Sequence, residues 1–114
     1  EIARRSRLPA LGCSPMARGA NLNSYLAAGI RLDHESYTAE EMLEKLRNGM
    51  FVVIRESSIS HFLNENLRMV TEMGIKATRR ISFCTDDVVA SDILRRGLKQ
   101  AGFRPFPAET PRPK

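Results

Sequence analysis

Met50-Phe51-Val52-Val53-Ile54 is an unbroken apolar run, β-branched at three positions, and it lies between two segments whose apolar residues recur at helical spacing. A run of that kind fits a strand covered on both faces, as in parallel sheets whose strands are joined by crossover helices. The preceding helix opens with Thr38-Ala39-Glu40-Glu41, a capping box. In such a box the Thr38 hydroxyl accepts from the Glu41 amide and the Glu41 carboxylate reaches back to Thr38. Met42, Leu43 and Leu46 give this helix an apolar face, Glu41 and Lys45 form an i,i+4 pair that supports it, and Gly49 stops it. The following helix is expected over about residues 59–73, with Phe62, Leu63, Leu67 and Val70 at helical spacing and Gly74 as its stop.

The alternation continues in both directions. Residues 20–28 predict a short helix with Leu22, Tyr25 and Leu26 on one side, stopped by Gly29, and Ile30–Asp33 predicts a strand. Ile81–Cys84 predicts a further strand, and a helix from Val89 to about Lys99 turns Ile93 and Leu94 inward. Repeated strand–helix units imply parallel pairing with right-handed crossovers. Three such strands leave two unpaired edges, so the fold class expected is α/β, as part of something larger. A (β/α)8 TIM-type barrel needs about 250 residues, and this chain of 114 would supply a fragment of three to four of its eight units.

Charge matters through its position. Residues 19–100 hold eleven Lys or Arg and eleven Asp or Glu, so the formal surplus of +5 lies in the flanks. Residues 1–18 read as an irregular basic flank, 19–100 as the barrel fragment, and 101–114 as a Pro-rich tail with four of the six prolines. No aromatic interleaving or reader motif accompanies the basic flanks, which argues against a nucleic-acid partner. No apolar run approaches the roughly 20 residues that cross a bilayer. Cys13 and Cys84 are too few for a disulfide framework and predict a reduced, cytoplasmic setting. The chain starts without Met, which suggests that its first residue is not a natural start.

Leu32-Asp33-His34-Glu35 ends one predicted strand and Phe83-Cys84-Thr85-Asp86-Asp87 ends another. The C-terminal ends of parallel strands are where such side chains converge on metals and substrates. From the residues alone a second interpretation stays open. Asp-His-Glu also suits a solvated turn, and Asp86-Asp87 suits a helix N-cap, with Asp87 as the capping residue of the two. His61 reads as a surface or interfacial histidine, Cys84 as packing, and Met42, Met50, Met69 and Met73 as core fillers.

Asn23-Ser24-Tyr25-Leu26-Ala27-Ala28-Gly29-Ile30, Asp33-His34-Glu35, Thr38-Ala39-Glu40-Glu41 through Lys45-Leu46-Arg47-Asn48-Gly49-Met50, Ile54-Arg55-Glu56-Ser57 and Thr85-Asp86-Asp87 resemble bacterial adenine deaminase, of the amidohydrolase superfamily. The likeness runs without large gaps from about residue 19 to 98. It implies a metal-dependent barrel that hydrolyses adenine to hypoxanthine and ammonia, in adenine catabolism and purine salvage. His34 and Asp86 would then be both catalytic and metal-binding, with Mn2+ as the metal or Fe2+ or Zn2+ in its place. A metal of this kind makes hydroxide available near neutral pH, and Asp86 would relay a proton to the departing nitrogen. Glu35, Arg55, Glu56 and Ser57 would line the substrate pocket.

The resemblance also marks departures. The superfamily takes a His-x-His pair from its first strand and a bridging ligand from its fourth, whereas this chain has only His34 and His61. The strand-five His falls in register with Cys13-Ser14-Pro15. Either Cys13 stands in as a thiolate ligand or the first eighteen residues lie outside the family frame, and the lack of a strand pattern before Gly19 favours the second. The isolated chain is accordingly expected to be inactive. Alternatives are another amidohydrolase acting on a different nitrogenous ring, or a non-catalytic interaction module whose strand edges pair with another chain, including a second copy of itself.

Overall fold

The computed structural model describes residue 5 and residues 10–76 and 79–94. Four strands alternate with three helices: β1 (Ala10–Gly12), α1 (Gly19–Ala27), β2 (Ile30–Asp33), α2 (Ala39–Arg47), β3 (Phe51–Arg55), α3 (Leu63–Thr71) and β4 (Ile81–Cys84). A helical stretch covers residues 90–94. The strands form one parallel sheet in the order β1-β2-β3-β4. When every crossover steps the same way with the same hand, all helices lie on one face of the sheet. That arrangement matches consecutive units of a TIM-type barrel and differs from a doubly wound sheet, whose strand order reverses.

The core lies between β3 and the helices. Val52 and Ile54 are buried against Ala39, Met42 and Leu43 of α2 and Met69 of α3, with Ile81 of β4 packed beside them. The register pairs Val52 with Ile81 and Arg55 with Cys84, so alternate residues of β3 and β4 turn to the opposite face. Phe51 is therefore 48% exposed and the run is covered fully on one face only, where cover on both was expected. Ile93 and Leu94 are also exposed, contrary to the inward placement expected of them.

Local chemistry explains most element boundaries. The Thr38 hydroxyl accepts from the Glu41 amide at 3.2 Å, as the capping box predicts. The return half of the box does not form, because the Glu41 carboxylate is taken by the amides of Met16 and Tyr37 and by Lys45. At the other end of α2, Gly49 has φ 84°, its amide donates to the Leu46 carbonyl, and the Met50 amide donates to that of Lys45. These two bonds make a Schellman stop, which needs a residue tolerant of the left-handed region.

Helix α3 starts at Leu63, four residues later than its spacing suggests. The Ser57 hydroxyl accepts from the amides of Ile59 and Ser60 and folds that stretch into a turn. Asp87 does not cap a helix: its carbonyl accepts from the Ser58 amide, and the following helical stretch begins at residue 90.

The largest correction is β1. Ala10, Leu11 and Gly12 pair with Ile30, Leu32 and Asp33, with a register break after Ala10. Residues before Gly19 thus contribute a strand and are part of the sheet. Gly12 leaves room for Tyr25, since a Cβ at this position would lie 1.6 Å from the Tyr25 hydroxyl and force that side chain to move. Residues 101–114 and the end of the last predicted helix lie outside the described residues. Among the described residues no helix is long and apolar enough to cross a membrane.

Candidate functional site

Four strand ends deliver side chains to one place. Cys13 follows β1, His34 and Glu35 follow β2, Arg55 ends β3, and Asp86 follows β4. Asp86 has φ 48°, a left-handed conformation that Asp adopts more readily than most side chains and that recurs at functional turns. Around His34 Nε2 stand Glu35 Oε1 at 3.7 Å, Asp86 Oδ2 at 3.8 Å and Cys13 Sγ at 3.9 Å. The two oxygens are beyond hydrogen-bond length from the imidazole. His34 Nδ1 is buried and has no hydrogen-bond partner among the described residues.

Arg55 holds the acids. One guanidinium nitrogen lies 2.6 Å from both Glu35 Oε1 and Asp86 Oδ2, and the other is 3.0 Å from Glu35 Oε2 and 3.3 Å from Ser60 Oγ. The forked geometry matches a carboxylate and fixes its plane. The guanidinium also lies 5.9 Å from the centre of the Phe62 ring, which stacks on Tyr37. Burial opposes the Arg55 charge, but its bond to Asp86 and the charges of Glu35 and Asp86 prevail and raise its pKa. Burial pushes the Cys13 thiol up, and Glu35 and Asp33 push it further.

Behind these residues lies a polar cluster that the sequence did not reveal. Lys45 is fully buried, and its ammonium donates to Asp33 Oδ2 (2.8 Å), Glu41 Oε1 (2.6 Å), the Ser14 carbonyl (2.8 Å) and Ser36 Oγ (3.1 Å). Asp33 in turn accepts from the amide and hydroxyl of Ser14 and from the Glu35 amide. Burial drives the Asp33 carboxyl upward, but Lys45 and the two Ser14 bonds outweigh it and hold the carboxyl below its ordinary value. One carboxylate therefore ties down the neighbours of both Cys13 and His34. The available signal was Lys45 standing three residues after Met42, on the apolar side of α2, where a solvated lysine is out of place.

Of the residues predicted for the site, His34, Glu35, Arg55 and Asp86 come together and Glu56 and Ser57 do not join them. Glu56 pairs with His61 at 2.8 Å and accepts from the Leu63 amide at the start of α3. Ser57 is buried in its turn and orders Ser60, which contacts Arg55. Cys13 belongs to the cluster although the sequence favoured leaving it out. Cys13, His34 and Glu35 each present one donor atom, and the three atoms lie within 4.8 Å of one another. A set of one nitrogen, one sulfur and carboxylate oxygens suits a divalent transition metal.

Adenine deaminase 4 of Rhizobium meliloti is 75% identical to this chain over 97 residues, 85% of the chain and 16% of that protein. Over its matched length the chain is a segment of the adenine deaminase family. Adenine deaminase 1 of Desulfotalea psychrophila is 63% identical over 95 residues, and Adenine deaminase 1 of Latilactobacillus sakei is 55% identical over 95 residues. Each of these two alignments covers 83% of this chain and 16% of the relative, so the chain spans about a sixth of the length of the curated adenine deaminases it matches. No family model matches it. Four parallel strands in sequential order are consistent with such an adenine deaminase segment being one part of a barrel.

Proposed function

We propose that this segment supplies the later strand ends of a metal-dependent hydrolase that converts adenine and water to hypoxanthine and ammonia. The observation that carries the proposal is the 75% identity to Adenine deaminase 4 over 97 residues, a stretch long enough to include most of the converging strand ends. A divalent metal, Mn2+ by the resemblance and otherwise Fe2+ or Zn2+, would supply an activated water near neutral pH, held by His34 and Asp86. The Asp86 carboxylate takes up a proton and delivers it to the departing ring nitrogen substituent. Arg55 keeps Asp86 and Glu35 oriented through the transfer, so that neither carboxylate has to reorganise. Glu35, 3.7 Å from His34 Nε2, would border both the metal and the substrate, and Glu56 and Ser57 shape the loop that brings Ser60 to Arg55.

The isolated chain is expected to be inert, because one histidine with two acids leaves most of such a centre to other strands. Both cysteines are free, in keeping with a reducing, cytoplasmic compartment. The substrate class is tested by exchanging this segment into Adenine deaminase 4 of Rhizobium meliloti and offering adenine, cytosine and a cyclic amide in turn. Ammonia release from adenine alone is expected. Turnover of another ring in preference to adenine would replace this proposal with that of a different amidohydrolase.

A further inference from the structure

We infer that Cys13 is a metal ligand, its thiolate joining His34 Nε2 and the Glu35 carboxylate as donors to one divalent cation and tilting the site toward Zn2+ or Co2+ and away from Mn2+. The inference rests on the proposal that His34 and Asp86 hold a metal, and it adds Cys13 and Glu35 to that donor set.

Geometry supplies the first argument. Metal–ligand bonds of about 2.3 Å to sulfur and 2.0–2.2 Å to nitrogen and oxygen place tetrahedral donors about 3.3–3.6 Å apart. His34 Nε2 lies 3.9 Å from Cys13 Sγ and 3.7 Å from Glu35 Oε1, so these pairs need to close by only a few tenths of an ångström. Between these groups the only hydrogen bond is the long one from sulfur to imidazole, and both oxygens of Glu35 bond to Arg55 instead of to His34.

The second argument is charge. Among the described residues Glu35 and Asp86 share one guanidinium, that of Arg55, which leaves one negative charge over. Ionised Cys13 makes that two, the complement of a divalent cation, and its proton passes to solvent on binding. Support for the sulfur is the third argument. Gly12 is the last residue of β1, and Ser14 is fixed to Asp33 through both its amide and its hydroxyl, so Cys13 is clamped between two restrained neighbours. A thiolate favours Zn2+ and Co2+ over Mn2+ relative to a site built only from nitrogen and oxygen.

The test is the absorption spectrum of the 114-residue chain titrated with Co2+, beside the variants Cys13→Ser, Cys84→Ser, Cys13→His and His34→Ala. Expected are visible cobalt bands together with a near-ultraviolet sulfur-to-cobalt charge-transfer band, the latter kept in Cys84→Ser and lost in Cys13→Ser. Cys13→His should bind cobalt without the charge-transfer band and lower the preference for Zn2+ over Mn2+ by at least about tenfold. Visible bands that need His34, with no sulfur band, would overturn the role of Cys13 and leave the metal proposal standing. No bound cobalt at all, with the circular dichroism of a folded chain, would overturn the assignment of Cys13, His34 and Glu35 as a donor set, while the fuller centre of the proposed function is judged by the exchange of the segment into Adenine deaminase 4.

Discussion

Lys45 carries more of this structure than its residue type suggests. It is a charged side chain with no exposed surface, and two carboxylates, a carbonyl and a hydroxyl meet its ammonium. Removing one partner from such a cluster leaves the others buried and uncompensated. Lys45→Met should therefore cost about 3–5 kcal/mol, read as a lower urea midpoint, even though methionine fills a similar volume. Asp33 gives the same cluster a dependence on pH. Its folded-state carboxyl is held below the ordinary value, so its stabilising contribution is complete above about pH 4 and is lost as the pH falls through the lowered value. The urea midpoint should consequently drop on acidification below about pH 4, and Asp33→Asn should flatten that limb while lowering stability at neutral pH. None of this could be read from the Glu41 to Lys45 spacing, which is the same for a solvated pair and a buried one. What distinguishes them is Asp33, brought in by the fold from another element.

At the scale of elements, strong local chemistry was legible and weak local chemistry was not. Strands β2, β3 and β4 and helix α2 stand where apolar runs, the Thr38 cap and the Gly49 stop predict them. Thr38→Ala should cost about 1 kcal/mol through the Glu41 amide alone, because the return bond of the capping box is absent. A larger loss, measured by thermal or urea unfolding, would mean that Thr38 does more than cap. Strand β1 escaped because Ala10-Leu11-Gly12 is only three residues long, lacks β-branched side chains and is a strand by virtue of its partner β2. With β1 missed, the alternative that left Cys13 outside the family frame was favoured over the one that made it a ligand. The start of α3 moved for a comparable reason, since the Ser57 turn and the Glu56 carboxylate at the Leu63 amide outcompete helical spacing. The convergence of side chains was legible where residues end strong strands, at His34 and Asp86, and illegible where a loop decides the direction of a side chain, at Glu56 and Ser57.

At the scale of the molecule, four parallel strands in sequential order set the candidate site at one end of the sheet, where four strand ends meet. The same architecture leaves apolar side chains exposed, among them Leu11, Phe51 and Leu94, as expected of units that pack against further units in relatives about six times as long as the matched segment. Arg55 ties the end of β3 to the residues that follow β2 and β4. The central claim is that these strand ends make a hydrolytic centre around His34. It is tested most directly by kcat/KM for adenine in Adenine deaminase 4 of Rhizobium meliloti carrying this segment, compared between His34→Ala and His61→Ala. His34→Ala should lower kcat/KM by at least about a hundredfold. His61→Ala, which alters an exposed side chain paired with Glu56, should leave it within a few-fold. Equal activity of the two variants would contradict the account.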